Sequence, residues 1–192
     1  MKNLQYLWLK FQAMAWLVFA RHERAQVVFD EMVRSFPEAT YPLASRAHLH
    51  AQSGRHQAAL DDYDALLRLK EDDARTWFNK GFVLESLGRW DEALAAFSRA
   101  TELSPELDRA WYGQGLVLIR MQRFDEAIVA LKRNTELQPM SPYGWYQLAR
   151  IHVDRKEPDE AVKIIRHLKG FEPKVAAQLE RETGLLAGGS LG

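Results

Sequence analysis

Apolar residues fall in short blocks at helical spacing. Within 75–87, Trp77, Gly81, Leu84 and Leu87 lie three or four residues apart, the interval that puts side chains on one helix face. A second block starts near Trp90. It carries Ala93, Phe97 and Ala100 on one side, and Asp91 and Glu92 in a first turn where the helix dipole favours acids. Gly88, between the blocks, suits a helix end that needs a positive φ. Ser104-Pro105 ends the second block, because the residue before a proline is pushed out of helical geometry. The pattern predicts a hairpin of two helices. Small residues at Gly81 and Ala93 let the helices approach, and Trp77 and Phe97 fill the space around them.

The hairpin pattern recurs. Trp77, Trp111 and Trp145 are 34 residues apart, and so are Gly81, Gly115 and Ala149; Ala93, Ala127 and Ala161; and Pro105, Pro139 and Pro173. Stepping back by 34 meets Leu43, Ala47, Ala59 and Tyr63, then Leu9, Ala13, Ala25, Phe29 and Pro37. Five units follow: 6–39, 40–73, 74–107, 108–141 and 142–175. One hairpin cannot bury its apolar face alone, so neighbours are expected to stack. Residues 174–183 read as a capping helix, making 1–183 a single domain, and the glycine-rich 184–192 reads as a flexible tail.

Composition narrows the function. The 192 residues hold 26 basic and 26 acidic side chains and no cysteine. Nine basic residues face ten acidic ones through Asp73, and 17 face 16 beyond it. This balance argues against a nucleic-acid binder, which needs a basic surface. Without cysteine there is no disulfide, thiolate metal site or cysteine catalysis. The acidic pairs are helix-start charges. His48 and His50 lie two apart and face different sides of a helix, and His50 and His152 fall on buried phases and read as core residues. Asn134 is placed to donate to His152 across adjacent repeats. Neither a His-Glu-x-x-His pattern nor a phosphate-binding glycine loop is present, so no catalytic residue, metal or cofactor is expected and the chain is read as a non-enzyme.

These residues resemble the tetratricopeptide repeat family. The resemblance rests on Trp77, Gly81, Leu84, Ala93, Phe97, Ala100 and Pro105, on Trp111, Gly115, Leu118, Ala127, Leu131 and Pro139, and on Trp145, Ala149, Ala161 and Pro173. It covers about 170 residues. Lys80 and Gln114 depart from the family's leucine, Glu71 stands for a closing proline, and Asn134 stands where a small or apolar residue is usual. The resemblance implies an all-α, right-handed solenoid of five hairpins plus a cap, with the first helix of each hairpin lining a concave groove for a partner's extended or helical segment. The groove-facing positions of the first two units include Leu7, Lys10, Phe11 and Met14, then Tyr41, Ala44, Ser45 and His48. The predicted peptide-binding residues are Arg75, Phe78, Asn79, Phe82, Arg109, Tyr112, Leu116, Arg120, Tyr143, Tyr146, Gln147 and Arg150. Aromatic residues and arginine are the types enriched at interface centres, so a mostly apolar peptide with acidic residues is the expected partner. One subfamily holds the acidic C-termini of cytosolic heat-shock chaperones in a two-carboxylate clamp. Asn79 and Arg109 match that clamp, but Ala44, His48 and Gly113 do not.

The N-terminal segment is unusual. Residues 11–20 are mostly apolar and Val18-Phe19-Ala20 resembles a signal-peptidase site. Lys10 and Gln12 interrupt the run, leaving no stretch of about 20 apolar residues to cross a bilayer, and the segment is in register as a helix of the first repeat. The expected location is the cytoplasm, the alternative being an exported or membrane-associated protein. Leu7, Trp8, Phe11, Met14 and Leu17 exceed what packing needs and are assigned to a subunit or partner contact. The leading function is a soluble adaptor that captures a peptide in its groove. The alternative is a structural or assembly-factor subunit, self-associating through the N-terminal helix.

Overall fold

A computed structural model describes residues 2–186; the expected tail beyond residue 186 lies outside the described residues. Eleven helices and no strand occur among them: α1 (Lys2–Val18), α2 (His22–Ser35), α3 (Thr40–Gln52), α4 (His56–Leu69), α5 (Ala74–Ser86), α6 (Trp90–Leu103), α7 (Asp108–Arg120), α8 (Phe124–Leu137), α9 (Pro142–Asp154), α10 (Pro158–Lys169) and α11 (Pro173–Thr183). They pair as five hairpins followed by one terminal helix. The chain divides into two compact units, Met1–Leu103 and Ser104–Gly192.

In the first unit the hairpins α1–α2, α3–α4 and α5–α6 share the repeat's packing rule. A small residue on the first helix faces a large one on the second. A Cβ at Gly81 would lie 2.9 Å from the Phe97 ring, so the ring occupies the space a side chain would need. Leu9, Ala13, Ala25, Phe29 and Met32 form the first core, with Tyr6, Trp16 and Leu17 packed against it. Leu17, assigned above to an outer contact, is therefore half-buried on the inside of the first hairpin.

A charged clasp ties three helices of this unit. Arg46 on α3 donates to Asp62 on α4 from Nε at 2.9 Å and Nη2 at 2.6 Å, and to Asp30 on α2 from Nη1 at 3.0 Å. Asp62 is buried, and its hydrogen bond is the main reason the Arg46 guanidinium sits above its ordinary pKa. His50 lies beside the clasp, its Nε2 3.3 Å from Gln26 Nε2 and 3.9 Å from Asp62. Burial pushes its pKa down, and Arg55 adds to the shift.

In the second unit, α7–α8 and α9–α10 repeat the rule, and α11 covers the last hairpin. Ala149, Ile165, Leu168, Ala176 and Leu179 form the closing core, and Leu185 packs on it from beyond α11.

Two details explain the 34-residue step. Trp77, Trp111 and Trp145 donate their indole N–H to the backbone carbonyl six residues earlier, at Glu71, Pro105 and Pro139, over 2.8–2.9 Å. The acceptor is a carbonyl, so Glu71 serves as well as proline. Every hairpin turn also carries one left-handed residue at the same phase: Ala20, Gly54, Gly88, Gln122 and Lys156. Only the glycines advertise that geometry in the sequence.

Candidate functional site

The second unit gathers the larger share of the expected binding residues. Pro142 opens α9 at a position where its missing N–H costs nothing. Trp111 and Trp145 pin α7 and α9 to the turns before them. Asn134, buried on α8, donates from Nδ2 to the carbonyl of Asp108 at 3.0 Å and so fixes the start of α7. Its Oδ1 lies against Gly144, where any Cβ would collide with it. Asn134 thus holds α7 on one side and demands a glycine of α9 on the other. It does not reach His152, whose Nδ1 is 2.6 Å from Glu157. The expected Asn134–His152 bond is replaced by these two local ones.

Between the starts of α7 and α9 lies an open recess of about 330 Å³, lined by Asp108, Arg109, Tyr112, Asn134, Gln138, Ser141 and Tyr143. Tyr112 and Tyr143 meet edge to face, with ring centroids 6.5 Å apart. Arg109 is exposed beside them. The recess offers two ring surfaces, one cation and several hydrogen-bonding groups.

One turn along α9, Tyr146 and Arg150 already hold a carboxylate. Glu182 of α11 accepts from the Tyr146 hydroxyl at 2.6 Å and from Arg150 Nη1 at 3.0 Å, while Gln178 donates to its other oxygen at 2.7 Å. These bonds, that from Tyr146 foremost, hold the Glu182 carboxyl below its usual pKa, and the same contact raises that of Tyr146. Arg150 is therefore occupied from within the chain. Leu116 and Gln147 are half-buried, and Arg120 is exposed.

In the first unit, α5 exposes Arg75 and Phe82, the latter to 57%. Phe78 is half-buried, its ring 5.9 Å from Phe97, and Asn79 is half-buried beside it. On α1, Leu7, Trp8, Phe11 and Met14 are exposed. No group of three or more His, Cys, Asp or Glu that could hold a metal occurs among the described residues. No helix of the described residues is long and apolar enough to cross a membrane. Glu182, Gln138 and Ser141 were not among the expected site residues. The available signal was the pairing of an out-of-pattern Asn134 with a glycine at 144.

Stacked antiparallel hairpins, with aromatic and cationic side chains on the first helix of each, define a helical-repeat interaction scaffold. Two tetratricopeptide repeat models match the sequence, over residues 49–112 and 84–145. The chain belongs to the tetratricopeptide repeat family. Solved structures agree on the fold. MamA from Desulfovibrio magneticus RS-1, from its residue 41 to the end, is 21% identical with a TM-score of 0.80, covering 92% of this chain and 96% of that one. PilF of Pseudomonas aeruginosa is 21% identical with a TM-score of 0.73, covering 99% and 95%. YrrB, described as a TPR protein with an unusual peptide-binding site, is 19% identical with a TM-score of 0.76, covering 88% of each chain. No curated protein sequence matches the chain.

Proposed function

We propose that this protein is a non-enzymatic adaptor whose α7–α9 face receives an apolar peptide segment carrying acidic residues. The observation that carries the reading is the internal carboxylate of Glu182 on Tyr146 and Arg150. Arg150, one of the cations expected to meet a partner's acid, here meets the chain's own Glu182 together with the Tyr146 hydroxyl, which supports an arginine–tyrosine chemistry suited to carboxylates on this face. One step away, Arg109 and the Tyr112–Tyr143 pair offer a cation beside a recess of about 330 Å³. A Leu or Phe of the partner fits over the rings, and its neighbouring Asp or Glu meets Arg109, bidentately where the fork allows. The peptide-binding site named for YrrB gives the same fold a precedent for such a use. The α5 face, with Arg75, Phe78, Asn79 and Phe82, offers residues of the same types within its own unit.

Selection of random peptides displayed on phage against the immobilised protein, with Tyr112→Ala as the counter-target, tests this. Enriched peptides should pair Leu, Phe or Trp with Asp or Glu. When one is titrated, Tyr112→Ala should bind roughly thirtyfold more weakly, the cost of losing an aromatic anchor of about 2 kcal/mol. Arg109→Ala should lose less, and mostly at low salt. Arg166→Ala, exposed on α10, should change nothing. Selected peptides that bind Tyr112→Ala as tightly as the parent would overturn the reading.

A further inference from the structure

We propose that α1 pairs with the α1 of a second copy of this chain, antiparallel, about a two-fold axis at Phe11. The outward stripe of α1 is made of residues 4, 7, 8, 11, 14, 15 and 18. Its large members are well exposed: Leu4 is 74%, Leu7 60%, Trp8 58%, Phe11 65% and Val18 78% accessible. Within it Leu4, Leu7, Phe11, Met14 and Val18 step alternately three and four residues, the spacing of a two-helix left-handed seam, and Trp8 and Ala15 flank that seam.

The stripe is also a mirror of itself. Position 11 is its centre, and every other member has a counterpart equally far on the opposite side. An isologous two-fold interface needs a self-complementary patch, and an antiparallel helix pair centred on 11 sets residue n against residue 22 − n. Leu4 then meets Val18, Trp8 meets Met14, and Leu7 meets Ala15, a large side chain opposite a small one. Phe11 meets its own copy on the axis.

Charge and area favour the same occupant. Lys10 is the one ionisable side chain among residues 4–18 apart from Tyr6. Its ammonium lies 4.6 Å from the centroid of Tyr41, drawn off the stripe toward α3. A helix lying on anionic lipid would carry several cations along its rim, and this one does not. At roughly 150–250 Å² per aromatic side chain, Trp8 and Phe11 expose on the order of 250 Å² together. Leu4, Leu7, Met14 and Val18 raise the apolar area available on the stripe to roughly 600–700 Å², near the roughly 800 Å² per partner of an ordinary stable interface.

The inference stands apart from the peptide reading. Phe11→Glu should leave peptide titrations unchanged, and Tyr112→Ala should leave the dimer intact.

Sedimentation velocity of the full chain should show a dimer at tens of micromolar. Phe11→Glu should weaken dimerisation roughly a thousandfold, because each dimer carries the change twice. Its far-ultraviolet dichroism should be unchanged, since Phe11 is exposed in the single copy. The chain has no cysteine, so orientation can be read by disulfide formation. Phe11→Cys should oxidise to a covalent dimer, Leu4→Cys alone should do so at least tenfold more slowly, and Leu4→Cys with Val18→Cys in one chain should link efficiently. A parent that stays monomeric at about 100 µM overturns the proposal. So does Leu4→Cys linking as fast as Phe11→Cys, which would mean parallel pairing, and so does a monomer that instead sediments with phosphatidylglycerol vesicles.

Discussion

The two terminal helices are built to opposite rules. α11 puts Ala176 and Leu179 into the last core and leaves Lys174, Gln178, Arg181 and Glu182 outside. α1 puts Leu9 and Ala13 into the first core and leaves Leu4, Leu7, Trp8, Phe11 and Val18 outside. A helical repeat needs a polar outer face wherever stacking stops. The C-terminal helix supplies one, and its Glu182 is tied to α9 besides. The N-terminal helix does not, and this apolar face is what the proposed pairing of two copies would cover.

Breaking each end should separate the two rules. Asp62→Ala strips Arg46 of its bidentate partner, leaves it only Asp30, and should cost about 2–3 kcal/mol, read as a shift of the urea midpoint. Leu179→Ala should cost about 2–5 kcal/mol, because Leu179 is fully buried under the closing core. Phe11→Ala on α1, measured below the dimer concentration, should stay within about 0.5 kcal/mol of the parent. Comparable losses from the last two would erase the distinction between the ends.

Acid should soften the two units at different pH. Burial holds His50 below its ordinary pKa, so the unfolded chain takes up the proton first. Stability contributed there is present above about pH 6.5 and declines as pH falls below it. Asp62 and Asp30 face His50 as acceptors, while Arg46, Arg55 and Gln26 disfavour its charge or leave it without an acceptor. The Glu182 carboxyl is also held low, so its contribution survives until pH falls below about 4.3. Hydrogen exchange at pH 7.5 and 5.5, corrected for intrinsic rates, should show α3 losing protection while α11 keeps it. His50→Gln should remove that loss.

The smallest effects belong to the turns. Gln122 and Lys156 occupy the left-handed region that Gly54 and Gly88 occupy without strain. Gln122→Gly and Lys156→Gly should each stabilise by about 0.5–1 kcal/mol. Gly88→Ala should destabilise by about 1–2 kcal/mol. Thermal midpoints would check all three.

How much of this was legible in the sequence depended on whether a residue type is forced. Trp77, Trp111 and Trp145 stand in register because an indole must reach a carbonyl six residues back, so the hairpins could be read from them. Ala, Gln and Lys at the left-handed turns give no sign of their geometry. The ring and arginine positions on the first helices follow from helical phase. Which of them are free does not, because Glu182 lies 32 positions after Arg150 and meets it only through the fold. Leu17 is the opposite case: it follows Leu9 and Ala13 at four-residue steps, so helical phase already placed it on the buried face, where it packs against the first core. Asn134 looked like a lapse in the repeat until Gly144 and the Asp108 carbonyl gave it two partners.

The peptide-adaptor reading is tested most directly by amide and methyl shift mapping of the labelled protein with a phage-selected acidic–aromatic peptide. The account predicts shifts centred on Arg109, Tyr112, Ser141 and Tyr143, with the Tyr112→Ala protein showing no saturable change at the same concentrations. Shifts centred on the second helices, around Arg133, Val129 and Arg166, with the α7–α9 face silent, would contradict it.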